Sequence, residues 1–127
     1  YRPDIFSQRP EVGVVGGKLL DEHHRIIGGM MDESGRVEFP GMHEMESGPM
    51  HRADTMQDAQ AVDVRFMEIR DELRPLYQAV FNASYEGHVM KHTDDLKTMS
   101  LEFCRQVRQQ GYLVVWDPEM TKICDQK

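Results

Sequence analysis

At 127 residues the chain has room for one domain with a modest core and is too short for two. Its formal charge of −7, with Lys and Arg scattered instead of gathered into a stripe, argues against nucleic acid and anionic lipid as partners. No apolar run approaches the roughly 20 residues that a membrane-spanning helix needs. Cys104 and Cys124 lack any Cys-x-x-Cys spacing and fit reduced thiols in a cytoplasmic protein better than a disulfide framework. The chain starts at Tyr1, and Tyr1 to Pro10 shows no basic segment followed by an apolar run. Residues 1–127 therefore read as one excised cytoplasmic unit, whose parent could carry membrane spans elsewhere.

Val12 to Leu20 reads as a buried strand containing glycines, Asp21 to His24 as a polar turn, and Arg25 to Met31 as a second apolar run, giving a hairpin. Glycines at 13, 16, 17, 28 and 29 imply bulges or close backbone approach. Residues 42–58 hold Gly, Pro and several charges without a sustained period, so they read as a long surface loop. Ala61 to Arg70 alternates well enough for a strand, and Asp71-Glu72-Leu73 opens a helix that tolerates Pro75 in its first turns. Residues 78–91 carry no readable pattern. Thr93 or Asp94 can cap a helix to about Gln110, with Leu96, Met99, Phe103, Cys104 and Val107 at helical spacing and Gly111 as a left-handed stop. Tyr112 to Trp116 reads as a strand ended by Asp117-Pro118. Strands separated by helices, plus one hairpin, indicate an α/β fold with a mixed sheet and flanking helices.

Three constellations invite chemistry. Gly13 to Gly17 has glycines like those of a dinucleotide loop, but they lie inside a strand followed by a turn and another strand, where a phosphate cradle needs a helix N-terminus. Met42, His43, Met45, Met50 and His51 include soft-metal ligand types, yet without cysteine or repeated spacing an exposed loop is the simpler reading; His23 and His24 are adjacent, so their side chains diverge. Glu102, Asp95 and Asp94 lie at or near the start of the clearest helix, where a carboxylate can act as general base toward a hydroxyl. Complementing the helix dipole would by itself favour the two aspartates there.

Taken in order, four segments resemble the second half of the GT-A domain of family-2 glycosyltransferases. Pro10 to Leu20 with Arg25 to Gly29 is similar to the family's "pevgvvGgkLl…dGrI…G" hairpin. Ala61 to Leu73 is similar to "AvtgaclliRrevf", Leu101 to Tyr112 to "vDlClRlreaGy", and Leu113 to Glu119 to "rivytPea". The resemblance covers roughly residues 3 to 120. It implies a partial GT-A-like half-domain, the acceptor side of an inverting transferase: an acceptor hydroxyl attacks the anomeric carbon of a nucleotide-sugar while a divalent metal, Mg or Mn, helps the nucleoside diphosphate depart. It also implies a saccharide acceptor as partner, in polysaccharide or cell-wall synthesis. The donor-binding half with its Asp-x-Asp precedes this region in the family, so neither metal nor nucleotide-sugar is expected on these residues alone. A sheet cut this way exposes an edge, and a homodimer of the segment is expected.

The departures are specific. Aligning Cys104 and Gly111-Tyr112 sets the usual "(E/N)DxD" over Met99 to Glu102, so the expected base position holds Ser100, and Ile123-Cys124-Asp125 stands where many members place a metal-binding histidine. Serine is no general base without an activating group. Glu102, Asp95 and Asp94, in that order, are the remaining candidates, with residues 42–58 as an acceptor lid. The alternatives are a degenerate scaffold that binds carbohydrate or assists assembly without chemistry, and an interaction domain whose likeness to transferases is accidental.

Overall fold

Val12–Leu20 forms β1, buried along its whole length, and its near-continuous apolar run is what a strand covered on both faces requires. In this computed structural model the backbone is described at residues 5–32, 34–46, 56–85 and 93–123, with side chains at the same residues except 83–85 and 93–95. Strand β2 (Ile26–Gly28) folds back antiparallel on the end of β1, so the hairpin expected from the sequence forms. The second apolar run is nevertheless interrupted: Gly29, at φ 122, turns the chain out of the sheet, and Met30–Met31 becomes a separate strand, β3. A side chain at Gly29 would meet the Gly17 carbonyl oxygen at 2.3 Å, so only glycine allows this exit.

The remaining strands are β4 (Gln57–Asp58), β5 (Ala61–Val62), β6 (Met67–Ile69) and β7 (Leu113–Ile123). Along one edge β1 pairs in parallel with β7; its other edge is shared by β6 at Val14 to Gly16 and by β2 at Leu19 and Leu20, both antiparallel. Strand β4 pairs antiparallel with β7 at Val115 and Trp116, and β3 with β5 makes a second, two-stranded sheet. The main sheet is therefore mixed, as expected.

Two further expected elements differ. Ala61 to Arg70 is two strands, because the Asp63 carboxylate accepts the Arg65 backbone N–H (2.9 Å) and folds the chain into a turn between β5 and β6. Strand β7 runs on through Asp117-Pro118: Gly16 faces Trp116 but Lys18 faces Thr121, and this bulge on β7 absorbs a proline whose missing N–H would break a regular ladder. The loop at 42–58 is pinned at both ends, by an Arg25–His43 bridge and by β4, while residues 47–55 lie outside the described ones.

A 3-10 turn at Asp71–Leu73 leads into α2 (Arg74–Tyr85), with Pro75 in its first turn, so the unreadable stretch is helical up to Tyr85. Helix α3 (Thr93–Gln109) buries Met99, Phe103, Cys104 and Val107 and stops where Gly111 takes φ 92, both as the spacing predicts. Together α2, α3 and the small sheet cover one face of the main sheet over Val14, Val114 and Trp116. The short α1 (Ile5–Gln8) covers Val12, Val15 and Val115 on the other. Val12 and Val15 share a face because the β1 register slips at Gly13. Among the described residues no helix is long and apolar enough to cross a membrane.

Candidate functional site

The exposed face of α3 carries the leading sequence candidate. Glu102 stands in the middle of the helix, not near its start, and with Thr98, Leu101, Arg105, Arg108 and Gln60 it lines a depression of about 420 Å³. Both Glu102 oxygens are taken by the Arg105 fork, Nε to Oε2 and Nη2 to Oε1 at 2.8 Å each, at a position where Glu102 remains 40 % exposed. A hydroxyl seeking this carboxylate as base would have to compete with that bidentate partner. Asp94 and Asp95 fall in the first turn of α3, one turn before Thr98, and their side chains lie outside the described ones.

Ser100, which the resemblance sets over the expected base position, is fully buried inside α3. Its Oγ donates to the Leu96 carbonyl (2.7 Å) and accepts the Val64 N–H (3.0 Å), so the hydroxyl ties α3 to the turn between β5 and β6. That is a structural role. Cys104 is equally inert: its Sγ donates to Val62 O, and burial pushes its thiol up to about 11.

Other buried polar groups gather where the hairpin meets the small sheet. Asp63 holds the Arg65 guanidinium in a bidentate pair, Nε to Oδ1 at 3.0 Å and Nη2 to Oδ2 at 2.7 Å. The pair lies against Gly28, whose missing Cβ would sit 3.2 Å from Oδ2. Lys18 is buried in β1 and its Nζ donates to Glu44 O at 2.9 Å. Both were legible as charges interrupting apolar runs, the only signal the sequence offers for them. In the hairpin turn, Asp21 accepts the His23 and Arg25 N–H groups, the Arg25 bond chiefly holding its carboxyl below the ordinary range. His24, at φ 60, pairs through Nδ1 with Glu44, while His43 Nδ1 accepts the Met45 N–H. Met50 and His51 lie outside the described residues.

Trp116 is 1 % exposed, and among the described residues its indole Nε1 has no hydrogen-bond partner. Phe39 lies over it, ring centroids 5.8 Å apart and tilted by 33°, on a backbone at φ 56. A bulky aromatic in the left-handed region costs about 1–3 kcal/mol. A groove of about 650 Å³ follows β6 between α1 and the Asp71 to Arg74 segment.

Among the described residues no three His, Cys, Asp or Glu side chains converge. No family model, curated protein or solved structure matches the chain. What the fold defines is a class: an α/β protein with a mixed sheet flanked by helices.

Proposed function

We propose that this chain is the acceptor-side half of a GT-A-like, inverting sugar-transfer domain, its partner a saccharide and its donor-binding half supplied by other polypeptide. The observation that carries the reading is the way the four motif segments assemble: the β1–β2 hairpin, β6 and β7 all meet on β1, and α3 feeds directly into the strand parallel to it. In this reading the domain holds the acceptor hydroxyl near the anomeric carbon, and positioning supplies much of the acceleration. Glu102 is the first candidate base, followed by Asp95 and Asp94; a metal and the nucleotide-sugar belong to the donor half.

Two features favour the degenerate form of the same scaffold, a carbohydrate-binding module without chemistry. Ser100 is consumed by structural hydrogen bonds, and Glu102 is bound to Arg105. The two forms separate in one assay of the parent protein against a panel of nucleotide-sugars and oligosaccharides. A transferase loses turnover when the true base is changed in the set Glu102→Gln, Asp95→Asn and Asp94→Asn. A binding module retains oligosaccharide affinity and turns over no donor. Absence of both turnover and oligosaccharide binding would overturn the proposal.

A further inference from the structure

Two independent irregularities meet at one place in the core. A buried donor without a partner is uncommon in native interiors and calls for something that supplies an acceptor, and Trp116 Nε1 is such a donor. A bulky residue in the left-handed region persists only where its surroundings demand it, and the Phe39 ring packs on the main core with Trp116 beneath it. Gly29 borders the same N–H: a Cβ there would stand 3.4 Å from Nε1, so glycine keeps side-chain atoms off the donor on that side.

The chain on either side of Phe39 is pinned. Glu38 N–H donates to Met30 O and Gly41 N–H to Ile26 O, both at 2.8 Å, so the cover is the Phe39–Pro40 segment between them; its displacement gives up the bond from Met42 N–H to Phe39 O (3.3 Å), and Gly41, at φ 80, follows directly. Such movement relieves the Phe39 backbone and exposes an aromatic face with an N–H at its edge. A flat ring bearing C–H groups on its face and hydroxyl oxygens at its rim satisfies both at once, the face by stacking and the oxygen by accepting from Nε1.

We infer that Trp116 is a saccharide subsite closed by Phe39, in which a pyranose ring displaces the phenyl ring, stacks on the indole and accepts the Nε1 hydrogen. This rests on the reading that the chain meets a saccharide, and adds where and by which atoms. The closed form lowers affinity by the fraction of molecules that are open, so loosening the cover strengthens binding.

Trp116 is the only tryptophan, and its indole N–H therefore gives a single nitrogen-correlated NMR signal. The labelled chain is titrated with neutral hexasaccharides of β-linked glucose, α-linked glucose and β-linked N-acetylglucosamine. At least one is expected to shift the indole signal. Phe39→Ala, which removes the ring and keeps the strained backbone, should bind that sugar about fivefold more tightly. Trp116→Phe, which keeps a ring and deletes the donor, should bind about tenfold more weakly. A sugar that moves other signals while the indole stays fixed overturns the subsite and leaves the acceptor reading standing. No movement of any signal removes both. If Trp116→Phe fails to fold, the wild-type indole shift and the Phe39→Ala affinity decide.

Discussion

Arg70 shows how far one side chain can organise this chain. Its guanidinium donates to the carbonyls of Val12 (2.8 Å), Phe6 (2.7 Å) and Arg9 (3.0 Å), and it stacks 5.3 Å from the Phe6 ring and 5.7 Å from that of Tyr112. The fork fixes α1 against β1. Lysine keeps the charge but cannot reach three diverging carbonyls, so Arg70→Lys should lower stability by about 3 kcal/mol. A urea midpoint that hardly moves would refute that assignment. Cys104 makes the complementary point about burial. Its thiol titrates near about 8.5 when unfolded and at about 11 in the native protein. Above about pH 8.5 the unfolded chain binds fewer protons than the native one, so stability falls as pH rises, by about 1.4 kcal/mol per unit until the native thiol titrates. Unfolding measured from pH 8 to 10.5 should show this slope in the wild type and lack it in Cys104→Ala.

At the scale of elements, Ser100 and the glycines decide how the layers meet. Ser100→Ala strands the Val64 N–H between α3 and the β5–β6 turn, at a cost of about 1–3 kcal/mol. Ser100→Asp buries a carboxylate where there is no solvent and should be the more damaging change; if its Tm stayed at or above that of Ser100→Ala, the structural role given to Ser100 would be wrong. Gly16 lets the small sheet rest on the main one, since a Cβ there would meet Val62 Cβ at 2.4 Å. Gly16→Ala should therefore cost about 1–3 kcal/mol, readable as a lower Tm.

How much of this was legible follows from range. The helix ending at Gly111, the β1–β2 hairpin and the crowding at the glycines are local patterns, and the sequence displays them. The split of Ala61 to Arg70 depends on a side-chain bond from Asp63 to the backbone two residues on, which alternation conceals. The continuation of β7 past Pro118 depends on β1 accepting a bulge, a fact about the partner strand. Of the candidate site, Glu102 could be named but its capture by Arg105 is one helical turn of geometry, and Phe39 over Trp116 joins residues with no sequence signal connecting them.

For the molecule as a whole, the exposed edges set its behaviour in solution. Among the described strands β6 pairs only with β1, and beside its outer edge runs the 650 Å³ groove. Such an edge is a template for another strand. Concentration-dependent dimerisation of the isolated chain is the expected outcome, and light scattering that gave a clean monomer at high concentration would contradict it. The pairing inside the sheet has a different result. Strand β1 meets its longest neighbour only in β7, Val12 facing Leu113, with every other described strand and both long helices between them in the chain. During synthesis at about 5–20 residues per second the first half of this partnership leaves the ribosome and must wait, with one apolar flank bare, until β7 has followed it. A nascent chain stalled or trimmed before β7 would thus be a client for chaperones or proteases, since no earlier segment covers the length of β1 that β7 does.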